Sequence, residues 1–261
     1  MAYQPFDLTG RVALVTGGNG GIGLGMAEAM AQAGADVCIW GTNPDKNARA
    51  EARLKETGRK VLSLICDVSD EAAVEAAFAK TLETFGRVDS CFANAGVSGG
   101  RTVPFIEMTA EEWERIMAVN MTGAFFTLRA AARHMVERAE TGDPFGRLVG
   151  TASLAARSGP ARNEHYAASK GGLISMMQAL ATELARYGVT ANTILPGWIE
   201  TEMTEKAFAW ERFASNVMPR IPVRRWGSIE DFGGLAVYLM SSASSYHTGE
   251  SFLIDGGYWR F

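Results

Sequence analysis

Short apolar runs alternate with longer segments of helical character from one end of the chain to the other. The apolar runs predict seven β-strands, at 11–16, 36–41, 60–68, 88–96, 147–153, 189–197 and 251–257. The segments between them predict helices at 22–34, 47–58, 71–86, 166–187 and 229–241, with 111–139 forming one long helix or two. The first three helical segments each end at a glycine, a residue typical of helix C-termini.

The alternation of strands and helices indicates a parallel sheet built from βαβ units. The strands are nearly continuous apolar runs, as expected for a sheet that helices cover on both faces. We therefore predict a single α/β domain over residues 1–261, a doubly wound Rossmann-type fold with a seven-stranded parallel sheet. Two segments interrupt the alternation. One is a polar loop at 140–146, and the other is a long aromatic-rich stretch at 198–227, which we expect to form a substrate lid.

Composition is that of an ordinary globular protein, with 47% hydrophobic and 21% charged residues. A net charge of −4 with mixed signs indicates neither a nucleic-acid partner nor a membrane surface. No apolar stretch approaches the roughly 20 residues that span a bilayer, and the first residues do not have the pattern of a signal peptide. Cys38, Cys66 and Cys91 lie in apolar runs and are expected to be buried thiols of a cytoplasmic protein. The three histidines are scattered, so no metal site is predicted.

A glycine-rich turn, TGGNGGIG at 16–23, joins the first strand to the first helix. Glycines at this junction let backbone N–H groups approach a phosphate at the positive end of the helix. Two spacings fit the sequence: Gly17, Gly21 and Gly23 match T-G-x-x-x-G-x-G, and Gly18 and Gly20 with Gly23 match G-x-G-x-x-G. Either spacing predicts dinucleotide binding.

Tyr166 and Lys170 are four residues apart, which on a helix places them on one face. A phenol has a pKa near 10, and an ammonium about 4 Å away contributes up to roughly 4 kcal/mol, which with the help of an oxidised nicotinamide would bring that pKa toward 7. The pair is therefore predicted to be a general acid/base and the cation that lowers its pKa. The alternative is a surface aromatic–cation pair without a chemical role.

The motifs together resemble the short-chain dehydrogenase/reductase family over essentially the full length of the chain. The resemblance is strongest to the subgroup of 3-oxoacyl carrier-protein reductases and glucose dehydrogenases. It rests on T-G-x-x-x-G-x-G at 16–23, Asp67, Asn94-Ala95-Gly96, Asn120, Ser153, Tyr166-x-x-x-Lys170, and Pro196-Gly197 followed by Thr201.

The resemblance implies a catalytic role for four residues. Ser153 would donate a hydrogen bond to the substrate oxygen while Tyr166 exchanges a proton with it. Lys170 would also hold the nicotinamide ribose, and Asn120 would bind a water that relays protons from Lys170. Alternatively, Ser153 is an ordinary serine at the end of a strand, and Asn120 caps one of two helices.

The resemblance also implies which residues bind the cofactor. They are Gly17, Asn19, Gly21, Ile22, Gly23, Thr42, Asp67, Val68, Asn94, Ala95, Gly96, Tyr166, Lys170, Pro196, Gly197, Ile199 and Thr201. Asp67 would accept from the adenine amino group beside Val68, while Ile199 and Thr201 would meet the nicotinamide carboxamide. As alternatives, Asp67 and Thr201 are caps of the helices that follow them.

The end of the second strand bears on the choice between NAD and NADP. Gly41 occupies the place where NAD-preferring relatives usually carry Asp, so repulsion against a 2′-phosphate is absent there. Thr42 could donate to that phosphate. Against this, Asn19 stands where many NADP-preferring members have a basic residue, and no Arg follows Gly41. We favour NADP(H) over NAD(H).

The predicted reaction is hydride transfer between a nicotinamide cofactor and a secondary alcohol or ketone. Because 198–227 is rich in aromatic residues, we expect a medium-sized apolar or cyclic ketone. Alternatives are a sugar or polyol dehydrogenase, an isomerase or dehydratase, a non-catalytic nucleotide-binding scaffold, and a 3-oxoacyl thioester reductase whose acidic partner docks on Arg129, Arg133 and Arg147. The helix at 166–187 is apolar over most of its circumference, which predicts a homodimer or homotetramer.

Overall fold

A computed structural model describes residues 4–98 and 103–261 and contains one parallel sheet of seven strands. The strands are β1 (Val12–Thr16), β2 (Asp36–Gly41), β3 (Val61–Ile65), β4 (Ser90–Ala93), β5 (Gly146–Thr151), β6 (Val189–Pro196) and β7 (Ser251–Ile254). Their order across the sheet is β3-β2-β1-β4-β5-β6-β7, and every neighbouring pair is parallel. The order reverses between β1 and β4, so the predicted doubly wound Rossmann-type fold is confirmed.

Helices connect the strands and cover both faces of the sheet. They are α1 (Gly21–Gln32), α2 (Pro44–Lys55), α3 (Glu71–Phe85), α4 (Ala110–Met117), α5 (Ala124–Glu140), α6 (Ala155–Ser158), α7 (Glu164–Leu184), α8 (Glu205–Phe208), α9 (Glu211–Val217) and α10 (Gly233–Met240). A π-helical turn at Ala118–Gly123 joins α4 to α5, so the segment predicted as one helix or two is two. Within the described ranges, no helix has both the length and the apolar character needed to cross a bilayer.

The sequence determines where the first helices begin and end. The Asn43 side chain accepts from the Lys46 amide and caps α2, while Asp70 accepts from two amides at the start of α3. The α3 helix ends at Gly86, whose φ of 76° is the left-handed conformation that favours glycine. These caps place the carboxyl ends of β2 and β3 directly beside the helices that follow them.

Two apolar clusters hold the helices on the sheet. Side chains such as Leu128 and Leu173 bury one face under α3, α5 and α7. On the other face, Met26 of α1 and Phe232 pack with Ile39 of β2. Because both faces are covered, β1, β4, β5 and β6 are buried at every position.

The 198–227 segment contains α8, α9 and its own aromatic cluster. Trp226 stacks on Phe208 with ring centres 4.0 Å apart, and Trp198 meets Phe213 edge-on at 4.9 Å. These rings therefore pack mainly on one another. Trp210 lies outside the cluster, with 59% of its surface exposed.

A network of charges lies at the amino ends of the central strands. Asp89 is completely buried just before β4, and its carboxylate accepts hydrogen bonds from Arg11, Arg87, Arg138 and the Val12 amide. Since these donors come from the start of β1, the loop between α3 and β4, and the end of α5, a single carboxylate connects three parts of the fold. It lies at the opposite edge of the sheet from the glycine turn.

Candidate active site

The glycine turn after β1 has the geometry of a phosphate-binding loop. Gly17 and Gly21 have φ values of 63° and 51°, which favour glycine, and a Cβ at Gly23 would lie 2.3 Å from the Gly17 carbonyl oxygen. No side chain caps the start of α1. At Gly20, by contrast, a Cβ would meet nothing within 4 Å. The structure therefore favours the T-G-x-x-x-G-x-G spacing, and its exposed helix N-terminus fits a diphosphate.

Asn94 joins the glycine turn to the end of β4. Its amide group donates to the Thr16 carbonyl at 3.0 Å, and its backbone N–H, like that of Ala95, donates to the Thr16 hydroxyl. A Cβ at Gly17 would lie 3.0 Å from the Ala95 Cα atom. Asn94-Ala95-Gly96 thus forms one wall of the cleft above the turn.

The structure brings together the four residues predicted to be catalytic. Ser153 lies just beyond β5, Tyr166 and Lys170 lie on α7, and Asn120 lies in the π-helical turn. The Lys170 ammonium is 5.8 Å from the centre of the Tyr166 ring. A Cβ at Gly96 would lie 3.2 Å from both the Lys170 Nζ and the Asn120 Oδ1, so these two groups approach the chain closely there.

Asn120 holds the segment that follows β4. Its Oδ1 accepts from the Val97 amide at 2.8 Å, and its Nδ2 donates to the Val97 carbonyl at 2.9 Å and to the Ser169 hydroxyl at 3.1 Å. The side chain is 1% exposed. The alternative that Asn120 is a helix cap is wrong, because its side chain reaches across to the β4 loop and α7. Val97 and Ser169, its partners, had no motif that identified them in the sequence.

Burial governs the pKa values of Tyr166 and Lys170. Burial of the phenol raises the pKa of Tyr166 above its usual value, and a hydrogen bond with Ser153 opposes that rise. The Lys170 ammonium donates to the Thr151 carbonyl at 2.7 Å, and burial lowers its pKa to about 8. In the chain alone, desolvation disfavours the charged form of both groups and raises the pKa of Tyr166. The lowering toward 7, which was expected with the help of an oxidised nicotinamide, stays a prediction.

The alternatives that Asp67 and Thr201 cap the helices that follow them are also wrong. Asp67 accepts from the amide and hydroxyl of Ser69, whereas the cap of α3 is Asp70. The residue at the start of α8 is Thr204, whose hydroxyl donates to the Ile199 carbonyl and accepts from the Thr201 amide.

The remaining predicted cofactor residues lie along the carboxyl edge of the sheet. Val68 packs against the chain at Gly123, where a Cβ would lie 2.7 Å from the Val68 Cγ2 atom. The Pro196 carbonyl accepts a hydrogen bond from the Leu154 amide. Gly197 is close to Asp255, since a Cβ there would lie 2.5 Å from that side chain. Ile22 begins α1 beside the glycine turn. Each of these residues thus lies at or just after the carboxyl end of a strand or beside the glycine turn.

A pair of asparagines fills the space beside Gly41. The Asn19 amide donates to Asn47 Oδ1 at 2.7 Å, and Asn47 in turn donates to the Gly41 carbonyl at 3.1 Å. A Cβ at Gly41 would lie 2.1 Å from Asn19 Nδ2 and 2.6 Å from Asn47 Oδ1. A side chain at Gly41 would therefore have to displace the Asn19 and Asn47 side chains from these positions. Asn47 was missed, although a polar residue on the apolar face of α2 was the available signal.

A cleft of about 800 Å³ adjoins the catalytic cluster at Gly96 and Val97. Its polar wall includes Glu107, Glu112 and Arg115. Arg115 donates twice to Glu112, and this arginine is the main reason that the pKa of Glu112 falls to about 2. Arg115 also donates to the Ser98 carbonyl, which fixes the wall to the loop after β4.

The fold and the glycine turn are those of a dinucleotide-dependent oxidoreductase. Residues 17–259 match the protein family described as enoyl-(acyl carrier protein) reductase. Gluconate 5-dehydrogenase of Gluconobacter oxydans is 34% identical over 97% of this chain and 96% of its own length. L-rhamnose 1-dehydrogenase (NAD(P)(+)) of Sphingomonas sp. is 36% identical over 96% of both chains. The structure of a gluconate 5-dehydrogenase from Burkholderia cenocepacia, in complex with NADP and tartrate, superposes with a TM-score of 0.92 at 32% identity over 99% of this chain and 98% of that one.

The chain belongs to the short-chain dehydrogenase/reductase family, as the sequence motifs predicted. It is an NAD(P)-dependent oxidoreductase that acts on secondary alcohol and ketone groups. Within residues 4–98 and 103–261, no group of three His, Cys, Asp or Glu side chains is arranged to hold a metal ion.

The burial of Lys170 has a measurable consequence for stability. Its pKa is about 8 in the fold against 10.5 for the free side chain, so the unfolded chain binds more protons between these values and stability rises with pH there. We expect the free energy of unfolding of the cofactor-free protein to increase, relative to a Lys170→Met variant, by about 2 kcal/mol between pH 7 and pH 9.5. Urea titrations at both pH values measure this difference. The matched control is Lys80→Met, which removes a lysine from an exposed ion pair. The expectation would be contradicted if the parent and Lys170→Met differed in free energy of unfolding by the same amount at both pH values.

Proposed function

We propose that this protein is an NADP(H)-dependent dehydrogenase of neutral, polyhydroxylated substrates of the sugar type. The observation that carries the proposal is a set of three carboxylates, those of Glu107, Glu112 and Glu202, in the described lining of the otherwise mainly apolar cleft that adjoins Gly96 and Val97. Hydroxyl groups are good donors to carboxylates. The similarity to an L-rhamnose dehydrogenase and to gluconate 5-dehydrogenases supports a sugar-type substrate.

The charge of the cleft distinguishes neutral sugars from sugar acids. Arg115 is the one cation among the described lining residues, and it already pairs with Glu112. Glu202 pairs with Lys46 beside the cleft, so among the described residues Glu107 alone leaves an excess of negative charge, which repels a substrate carboxylate. On this basis we favour a neutral sugar or polyol over a sugar acid.

A medium-sized apolar or cyclic ketone is the second candidate. Val97, Val103 and Met203 line the same cleft and would cover an apolar ring. The aromatic residues that suggested this substrate give it less support in the structure. Phe208, Phe213 and Trp226 stack on one another, so much of their surface is already covered.

The three arginines proposed as a dock for an acidic carrier protein are occupied. Arg129 pairs with Glu71 and Glu75, and Arg133 also pairs with Glu75. Arg147 is 3% exposed and donates to backbone carbonyls. These contacts argue against a 3-oxoacyl thioester carried by an acidic protein.

We propose that the chain's own residues handle the proton and the substrate oxygen. When bound, the nicotinamide ring supplies or accepts the hydride. Ser153 donates a hydrogen bond to the substrate oxygen, and Tyr166 gives it a proton in reduction or takes one in oxidation. Lys170 holds the nicotinamide ribose. Asn120, whose side chain is held by Val97, binds a water that relays protons from Lys170. Because burial raises the pKa of Tyr166, the phenol is protonated near neutral pH and ready to act as the acid in ketone reduction.

We propose that the cofactor is held along the carboxyl ends of the strands by the residues predicted for it. The preference for NADP(H) is supported by Gly41, which has no carboxylate to select NAD and beside which the Asn19 and Asn47 side chains occupy the space. NADP is also the cofactor named in the Burkholderia cenocepacia structure. The 198–227 segment, which contributes Met203 to the cleft, is proposed to act as the substrate lid within a single 1–261 domain.

We also propose a cytoplasmic homodimer or homotetramer. The three cysteines are unpaired thiols, as suits a reducing compartment. Only one face of α7 is buried in the single chain, and Phe125 on neighbouring α5 is 40% exposed. A second copy packed on α5 and α7 would cover these apolar surfaces.

Replacing Tyr166 by Phe tests its assignment as the acid. The variant removes the hydroxyl but keeps the ring, so we expect the fold and cofactor affinity to persist while kcat falls by about 10²–10⁴-fold. Steady-state kinetics and cofactor titration by fluorescence measure the two effects. Tyr187→Phe, on the 3₁₀ turn that follows α7, is the control and should retain activity. Near-normal turnover of Tyr166→Phe at saturating substrate would remove Tyr166 from the mechanism.

A substrate panel tests the choice of substrate. With NADP⁺, we expect kcat/KM for neutral sugars and polyols such as L-rhamnose to exceed that for gluconate by about tenfold or more, as charge repulsion of about 1.4 kcal/mol requires. A Glu107→Gln variant should narrow this gap. Turnover of cyclic ketones with NADPH, but of no sugar or sugar acid, would instead establish the second candidate.

The oligomeric state is tested by sedimentation. At micromolar concentration we expect a species of two or four chains, because a second copy packed on α5 and α7 would cover the exposed Phe125 ring. A Phe125→Glu variant should dissociate it, with Glu83→Lys on the exposed part of α3 as the control. A parent protein that sediments only as single chains would disprove the assembly.

A further inference from the structure

Lys46 and Glu202 form an ion pair between parts of the chain that are 156 residues apart. Lys46 lies in the first turn of α2, directly after the end of β2. Glu202 lies in the 198–227 segment, next to Thr201, and also lines the substrate cleft. The lysine side chain is 35% exposed and the glutamate 76%, so both remain accessible to a ligand.

The surroundings place this pair at the mouth of the cofactor cleft. Asn47, the next residue on α2, connects Gly41 at the end of β2 to Asn19 of the glycine turn. On the other side, Thr201 approaches the turn itself, since a Cβ at Gly21 would lie 3.4 Å from its methyl group. The Lys46 side chain therefore reaches from the start of α2, past the glycine turn, to the segment that follows β6.

The positions that would ordinarily carry a cation for a 2′-phosphate are neutral in this chain. Asn19 holds Asn47 through its side chain, and Thr42 follows Gly41 where a basic residue would be expected for NADP. Between residues 40 and 47, Lys46 is the single lysine or arginine. A lysine is a compact charge on a flexible four-carbon stem, so it can move between a carboxylate and a nearby phosphate.

We propose that Lys46 is the residue that recognises the 2′-phosphate of NADP(H), and that Glu202 competes with the phosphate for it. This inference rests on the proposed preference for NADP(H). A phosphate monoester carries up to two negative charges against one on Glu202, so it is the stronger partner for the ammonium. An exposed ion pair such as Lys46–Glu202 contributes little to stability, and exchanging it for the phosphate contact is favourable.

The competition links the cofactor to the substrate side of the cleft. When Lys46 moves to the phosphate, Glu202 is released from α2 beside Met203, both of which line the substrate cleft. NAD(H) lacks the phosphate, so it leaves the Lys46–Glu202 pair in place. The two cofactors would thus leave the 198–227 segment with different contacts to the rest of the chain.

Calorimetric titration with 2′,5′-ADP and 5′-AMP measures recognition of the phosphate without turnover. The parent protein should bind 2′,5′-ADP at least tenfold more tightly than 5′-AMP. Lys46→Met should lose about tenfold in affinity for 2′,5′-ADP and change by less than twofold for 5′-AMP, while Lys46→Arg should keep most of the preference. Glu202→Gln should gain about two- to fivefold for 2′,5′-ADP. The matched control is Lys55→Met, which removes another ion-paired lysine of α2 at its far end.

Each part of the inference can be disproved separately. A parent protein that binds both nucleotides equally would overturn the NADP(H) preference, and the inference with it. A parent that prefers 2′,5′-ADP, with Lys46→Met retaining that preference, would overturn the assignment of Lys46 and leave the proposed function intact. Unchanged affinity in Glu202→Gln would disprove the competition. Circular dichroism of each variant confirms that the fold is retained.

Discussion

The arrangement of the site depends on one buried ammonium. Lys170 is removed from water, and its hydrogen bond to the Thr151 carbonyl ties α7 to the end of β5. It lies close to Gly96 in the loop after β4 and to Asn120 in the π-helical turn before α5. The burial costs stability, because desolvation opposes the charge. The hydrogen bond to the Thr151 carbonyl offsets part of that cost.

Much of the fold was predictable because one physical rule governs it. A sheet buried on both faces needs continuous apolar strands, and such runs alternated with helices along the whole chain. Parallel strands bring all their carboxyl ends to one edge, so motifs far apart in sequence, such as the glycine turn and Ser153, were expected to meet. The α4–α5 boundary was not predictable, since a π turn keeps helical composition and reveals itself only through the contacts of Asn120.

The details of the site were less predictable because they depend on three-dimensional packing. Spacing placed Tyr166 and Lys170 on one face of a helix, but their pKa values depend on how far each is buried. Gly41 looked like the absence of an acidic residue, whereas in the structure it makes room for Asn19 and Asn47. The aromatic residues of 198–227 suggested an apolar lid, but a sequence cannot show that such rings stack on each other.

The two edges of the sheet serve different purposes. The carboxyl edge carries the cleft and its variable loops, while at the amino edge Asp89 gathers Arg11, Arg87 and Arg138 around a buried carboxylate. Changes that remodel substrate choice at one edge therefore leave the other undisturbed, since sites this far apart contribute independently to stability. The chemistry of such a chain can diversify during evolution without loss of the fold, because the residues that stabilise the fold are separate from those that carry out the reaction.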